Sequence, residues 1–443
     1  MIVFKGKYTD ATVMIDELDD SCAKQIVQFI NHQAFTNPVV IMPDTHAGAG
    51  SVIGFTMELP NKVVPNTIGV DINCGMLSIQ FSGAVSKGDI INNRKLLDKY
   101  IRQQIPFGME VRDNPYYNME NDFPWVQANK LNTQFATAYS KWFDTQMNIT
   151  QYDYGWFTNK CKNIQMDVSR AVNSLGTLGG GNHFIEISCS KNDDSIWATI
   201  HTGSRQFGKQ ICQYWQKQPH RNQYEQNKIA FSEGIKQIRE QYRGKEIENE
   251  IAKLRKELDI GNKKPSMLEY LVDKDAHGYL TDMIFASIYA KENRHIIGDI
   301  ITNIFHELFG VTHVKSIETV HNYINFDDFI IRKGAVSAHK DELFILPFNM
   351  EDGILICRGK GNPEWNFSAP HGAGRIYSRS KAKEKCSADI ALERMTKKGI
   401  YTSAVPVDEV KEAYKDPQII KEAISPTADI MDTLVPLINL KSA

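Results

Sequence analysis

The sequence predicts an α+β protein: one large, complex α/β domain over residues 1–443, with mixed β-sheets around a central metal cleft and a helical arm inserted at 207–265. Three observations predict it. Short apolar runs such as Val39–Met42, Phe184–Ile187 and Ala198–Ile200 adjoin loops bearing histidine, aspartate or glycine. No G-x-G-x-x-G follows a strand with an acidic residue at the right distance, which argues against a doubly wound nucleotide-binding fold. Residues 206–265, rich in Gln, Lys, Glu and Arg, space Ile235, Ile238 and Tyr242, then Ile247, Ile251, Leu254 and Leu258, by threes and fours. That is the narrow stripe of a helical hairpin. No internal repeat, low-complexity segment or interdomain linker is visible.

At 443 residues, 42% hydrophobic and 23% charged, the chain has the composition of a globular protein with a substantial core. A net charge of -2 excludes a globally basic nucleic-acid binder, so any such contact needs a local patch. Met1–Lys7 lacks signal-peptide architecture, and no apolar run reaches the length of a membrane span. Seven scattered cysteines with no C-x-x-C pair point to a reducing, cytoplasmic setting.

Residues 1–40 read as a strand, an acidic turn and a helix with Ile26, Val27, Ile30 and Phe35 on one face. The strand Val39–Met42 leads into a loop where Asp44 and His46 read equally well as turn or site residues. Gly69–Ile72 reads as the end of a buried strand, with Asn73 and Gly75 as turn formers. Asn92–Gln103 predicts a helix and Trp125–Met147 one or two more, with Tyr116, Tyr117, Trp125, Trp142 and Phe143 as core aromatics. Leu175–Ile187 is a glycine-rich loop running into a strand, where alternation sets His183 and Ile185 opposite Asn182, Phe184 and Glu186. A second strand ends in His201, followed by Thr-Gly-Ser-Arg205, a turn suited to phosphate. The charges of the arm read as a solvated face, with partner or RNA contact the minor alternative. Tyr270–Arg294 is a third helical stretch, with Leu271, Tyr279, Leu280, Met283, Ile284, Ser287 and Ala290 as its core face. A strand bearing His321, another at Ile330–Ala335 and a hairpin ending at Cys357–Asn362 follow. Ser368–Arg375 opens a helix continuing to Lys383, and Arg375, Arg379, Lys381, Lys383 and Lys385 form a local basic patch.

If the chain turns at Asn73–Gly75, Asp71 and Cys74 converge, and a carboxylate and a thiolate at one point repel unless a cation lies between them. The alternative is a capping aspartate beside an inert buried cysteine. With no H-E-x-x-H or C-x-x-C arrangement, a metal site must gather ligands from distant strands. The best set is Asp71, Cys74, His183, His201 and His321. Five such ligands exceed one tetrahedral site and suit an open catalytic centre with room for two metals. The thiolate leans towards zinc, with manganese behind it. His371, flanked by glycine and backbone N–H groups, remains as a nucleophile towards phosphorus.

These residues also carry a resemblance. Met42-Pro43-Asp44-x-His46, Gly69-Val70-Asp71-x-x-Cys74-Gly75-Met76, Leu178-Gly179-Gly180-Gly181-Asn182-His183-Phe184-x-Glu186, His201-Thr202-Gly203-Ser204-Arg205, His321-Asn322, Arg332-Lys333-Gly334-Ala335 and His371-Gly372-Ala373-Gly374-Arg375 occur in the order of the RtcB-type RNA ligases. The chain resembles that family over nearly its whole length. The resemblance implies a GTP-using, manganese-dependent ligase (two ions) that joins an RNA 3'-phosphate or 2',3'-cyclic phosphate to a 5'-hydroxyl end. It implies manganese on Asp71, Cys74, His183, His201 and His321, and covalent GMP on His371. Asn182, Glu186, Arg205, His321, Asn322, the His371–Arg375 loop (Gly372, Ala373, Gly374) and Lys441 fall on positions of nucleotide or phosphate contact. An archease-like activator is an implied partner.

Some positions depart from the family pattern. Phe348-Asn349-Met350-Glu351-Asp352-Gly353 stands where the family usually has Gly-Ser-Met-Gly, with Asn349 and Met350 at the nucleotide and two added acids. The loop after His46 is Ala-Gly-Ala-Gly, and the chain ends Lys-Ser-Ala. These mark a divergent member, suited to RNA repair rather than housekeeping tRNA splicing. Two other expectations remain: a metal-dependent phosphodiesterase or phosphatase on RNA ends, which needs no His371, and a catalytically silent RNA-binding homologue.

Overall fold

The computed structural model describes residues 1–258 and 266–442, in a mixed α/β architecture. Its largest sheet is antiparallel, in the order Leu343–Pro347, Ile354–Gly359, Ala428–Leu440, Phe184–Ser190, Ile196–Thr202, Gly75–Phe81 and His313–Val320. These strands are rich in the Ile, Leu, Phe and Thr that a pleated, buried surface favours. Phe184 pairs with His201, and Met76 lies between His201 and Thr319. That register places His183, His201, Cys74 and His321 at the same end of four adjacent strands.

A second sheet runs Ile2–Lys5, Asp10–Val13, Val39–His46, Ile53–Glu58, Ile330–Lys333 and Tyr323–Ile324, with only the Asp10–Val13/Val39–His46 pair parallel. From Lys333 the chain kinks at Gly334 (φ 61°) into Ala335–Ser337, which pairs with Ser368–Pro370. A side chain at Gly334 would strike Ile53 at 2.2 Å and crowd the His371 ring, so the kink needs glycine. This sheet and its two-stranded extension deliver Asp44 and His371.

Behind the large sheet lies the core helix Asp273–Phe309, ended by Gly310 in the left-handed region (φ 67°). Tyr279, Leu280, Met283, Ile284 and Ala290 are buried as expected, and the apolar face continues to Phe305, stacked on Phe81. Within this helix, Asn293 and Arg294 are completely buried. Asn293 Oδ1 accepts from the N–H groups of Gly176 (2.8 Å) and Thr177 (3.1 Å). Its Nδ2 donates to Thr177 O, Thr202 Oγ1 and Gly203 O at 3.1–3.2 Å. Arg294 donates to Asn73 O (2.7 Å) and Thr202 O (3.4 Å), and its charge is met by Glu318 at 3.0 Å. One helical turn therefore ties together the glycine-rich loop, the His201 turn, the Asp71–Cys74 turn and the strand before His321.

Several elements differ from expectation. The run Gly69–Ile72 is a turn, with positive φ at Gly69 and Asn73, and the strand starts at Gly75. Val27 is 46% exposed, whereas Ile26 and Ile30 are buried. His183 precedes the strand Phe184–Ser190, so strand alternation does not orient it. After Pro370 the chain stays irregular until the helix Arg379–Lys385, so no helix opens at His371. Among the expected core aromatics, Tyr116 and Trp142 are 39% and 47% exposed. The helices Arg205–Gln241 and Lys245–Glu257 form a pair, with Leu254 packed on Gly234 and the predicted stripe half-buried. The first three turns, with Phe207, Ile211, Cys212 and Trp215, are part of the core. Residues 259–265 of the expected arm, and Ala443, lie outside the described residues. Among the described residues no helix is long and apolar enough to cross a membrane.

Asn293→Ala would leave the buried N–H groups of Gly176 and Thr177 without acceptors. The expected cost is about 3 kcal/mol, read as a lower urea midpoint; an unchanged midpoint would contradict the tethering role.

Candidate active site

The Asp71–Cys74 turn is held by two neighbours. Ser204 N donates to Asp71 Oδ1 (3.0 Å), and Asn73 N donates to Asn322 O (2.8 Å). The turn brings Cys74 Sγ within 3.3 Å of His201 Nε2 and 3.4 Å of His183 Nε2, while His183 Nε2 lies 3.0 Å from Asp71 Oδ2. Backbone carbonyls set the tautomers: His183 Nδ1 donates to Leu178 O (2.9 Å) and His201 Nδ1 to Asn182 O (3.1 Å). Both Nε2 lone pairs are thus left for a ligand in the cluster. His321 completes it, with a buried Nδ1 that has no hydrogen-bond partner among the described residues. The side chains form two triads that share Cys74, Asp71–Cys74–His183 and Cys74–His201–His321, each with its ligand atoms within 4.8 Å of one another.

The electrostatics of this cluster suit a cation. Burial and the Asp71 charge push the Cys74 thiol well above its usual range. Burial also holds His201 and His321 far below the usual imidazole value, hence neutral. A divalent ion between Cys74 and Asp71 would reverse the thiol's balance, because a coordinated thiol is deprotonated. Neutral imidazoles, a thiolate and a carboxylate are a fitting donor set for such an ion.

His371 stands next to this cluster, its ring 4.8 Å from that of His321. Fully buried Asp44 accepts from both His371 N (3.2 Å) and His371 Nδ1 (2.6 Å) through Oδ2. This fixes the proton on Nδ1 and leaves the Nε2 lone pair unprotonated. Asn322 connects the two halves: its Nδ2 donates to Asp71 O (3.1 Å) and its Oδ1 accepts from Gly334 N (2.9 Å). Sequence reading placed Asp44 in a motif without giving it a role, since its partner is 327 residues away.

A cleft of about 840 Å³ joins these groups. Asp71, Cys74, Asn182, Glu186, His201, His321, Asn322, Asn349, Met350, His371, Gly372, Gly374, Arg375 and Lys441 line it. Of the other expected site residues, His183 is buried against Cys74 and Ala373 packs in a hydrophobic cluster. Arg205 turns to Thr177 Oγ1 (3.0 Å) and Gly108 O (2.8 Å), bracing the glycine-rich loop. At one end of the cleft, buried Glu409 accepts from Lys441 (2.8 Å), Tyr414 (2.5 Å), Arg379 (2.8 Å) and Arg375 (3.2 Å). Burial opposes its ionisation, but the Lys441 and Arg379 charges prevail and hold its pKa at about 2. Nothing in the local sequence marks Glu409. Glu186 is pushed up to about 7 by burial, against hydrogen bonds from Ser188 and Asn439. The two added acids are neutralised in place: Glu351 by Arg394 and Lys398, and Asp352 by Lys411 at 3.0 Å.

The model of the RtcB family, described as tRNA-splicing ligase RtcB, matches residues 25–442. The chain belongs to that family. It is similar to the RNA-splicing ligase RtcB of Escherichia coli strain K12, at 28% identity over 423 residues, 91% of this chain and 90% of that relative. The tRNA-splicing ligase RtcB of Pyrobaculum aerophilum is 24% identical over 440 residues, covering 87% of this chain and 83% of that relative. The RNA-splicing ligase RtcB of Mycobacterium bovis is 23% identical over 446 residues, 90% and 95%.

Two measurements test the site of this RtcB-family chain. Cobalt(II) titration is expected to give thiolate-to-metal absorption in the parent and none in Cys74→Ser; the same band in both would remove Cys74 from the ligand set. Glu409 has a depressed folded pKa, so its stabilisation is complete above the ordinary value of 4.5 and fades as pH falls towards about 2. Glu409→Gln is expected to lack that component of acid destabilisation in unfolding curves across this range.

Proposed function

We propose that this chain is a GTP-dependent RNA ligase of the cytoplasm, joining RNA 3'-phosphate or 2',3'-cyclic phosphate ends to 5'-hydroxyl ends. The observation that carries the proposal is the Asp44–His371 pair set beside the Asp71/Cys74/histidine cluster. A phosphodiesterase would need the cluster alone, whereas a buried carboxylate that fixes the tautomer of a cleft-lining histidine prepares Nε2 for attack. Family membership and the ligase names of the relatives support the same reading. The free state of all seven cysteines fits a reducing cytoplasm.

In this proposal His371 Nε2 attacks the α-phosphorus of GTP, and pyrophosphate leaves with the bond it held. Asp44 stabilises the positive charge that develops on the ring through Nδ1. An oxygen of the RNA 3'-phosphate then attacks the bound guanylate, which frees His371 and activates the RNA end. Attack by the 5'-hydroxyl on that end forms the phosphodiester and expels GMP; a cyclic phosphate is first opened by water. Asp71, Cys74, His183, His201 and His321 would hold manganese, whose charge would offset that of the attacked phosphate. Lys441 and Asn182 line the cleft where the nucleotide would lie.

The test is covalent labelling with manganese and GTP carrying label in the α-phosphate. Label is expected on denatured parent protein, none on His371→Ala, and about 100-fold slower labelling in Asp44→Ala, which loses the fixed tautomer. Equal label on parent and His371→Ala would overturn the assignment. A parent that stays unlabelled while it opens cyclic phosphates would favour the phosphodiesterase.

A further inference from the structure

At the mouth of the cleft, Ile376, Tyr377 and Ser378 lead from the His371 loop into the helix Arg379–Lys385. The five basic side chains here fall into two groups. Arg375 and Arg379 are held by Asp408 and Glu409, so they serve the cleft wall. Lys381, Lys383 and Lys385 are exposed, and none of them has a carboxylate partner among the described residues. Lys381 and Lys385, one helical turn apart on one face, each place Nζ 5.5 Å from the centroid of the Tyr377 ring. Tyr377 and Lys381 line the cleft, and so does Ile376, whose side chain is 57% exposed. Asp19, Asp20 and Ser21, at the start of the helix Asp20–Ile30, line the same cleft.

A half-exposed aromatic ring bordered by an apolar side chain and uncompensated ammonium groups matches a nucleic-acid strand. Every base has a face that can stack on such a ring, and each phosphate needs a cation. Asp19 and Asp20 in the same lining repel phosphate, which leaves the lysines as its favourable contacts. We propose that Tyr377, Lys381 and Lys385 form a docking platform for single-stranded RNA beside its reacting end. Tyr377 stacks on a base, and the two lysines take backbone phosphates. The proposal rests on the reading of the cleft as that of an RNA ligase.

The test is fluorescence anisotropy with a labelled single-stranded RNA ending in a 3'-phosphate, titrated with full-length protein at several salt concentrations. Tyr377→Ala is expected to weaken binding about 5- to 100-fold, the loss of one stacked base, while Tyr377→Phe keeps the parent affinity. The surface double variant Lys381→Ala/Lys385→Ala is expected to flatten the slope of log affinity against log salt by about 1.4, two phosphate contacts. Parent-like affinity in Tyr377→Ala together with a parent-like salt slope in the double variant would overturn the platform and leave the patch to an acidic protein partner. A Tyr377→Phe loss as large as that of Tyr377→Ala would overturn the stacking role. GMP labelling of the parent, run alongside, separates the two readings. An unlabelled parent whose RNA affinity still depends on Tyr377 keeps the platform and removes the ligase. A labelled parent with Tyr377-independent affinity and a parent-like salt slope in the double variant does the reverse.

Discussion

The Asp71/Cys74/histidine cluster depends on one turn of the core helix. Arg294 is a fully buried cation, and burying such a charge is costly unless it is paired and its donors are used. Here Glu318 supplies the pairing and the carbonyls of Asn73 and Thr202 accept from the guanidinium. Asn293 satisfies backbone groups on the glycine-rich loop and the His201 turn. Loops this rich in glycine would otherwise be loose, since glycine loses more backbone freedom on folding than any other residue. Fixing them from a rigid helix lets five ligand-type side chains from four segments meet.

The two halves of the chemistry come from two sheets. The large antiparallel sheet brings the cysteine and three histidines to one end through its register. The second sheet and its two-stranded extension bring His371 and its carboxylate partner Asp44. Asn322, itself in the left-handed region (φ 61°), joins them by bonding to both Asp71 and Gly334. Relative movement of the sheets would therefore break the Asn322 bonds before it could separate His371 from the cluster.

Much of this was legible in the sequence because chemistry-bearing residues sat at the ends of apolar runs. The meeting of Asp71 with Cys74 followed from the turn residues Asn73 and Gly75, and the distant histidines could be gathered by type. What stayed hidden was set by tertiary partners. Gly69–Ile72 reads as a strand end because Ile68 and Ile72 are buried on either side of a turn, and short buried stretches of this kind do not distinguish a strand from any other segment. Asp44 acquires its role from a residue at the other end of the chain. Glu409 is defined by Lys441, Arg375 and Arg379, none of them its sequence neighbour. The acids at Glu351 and Asp352 looked like added charge near phosphate until Arg394, Lys398 and Lys411 proved to hold them.

In the proposed ligase, Cys74 would belong to two metal positions beside His371. Anomalous diffraction at the manganese edge, on crystals of the manganese-loaded protein, tests it most directly. The account predicts two peaks, one within the Asp71–Cys74–His183 triad and one within Cys74–His201–His321. A single peak away from Cys74, or peaks outside this cluster alone, would contradict it.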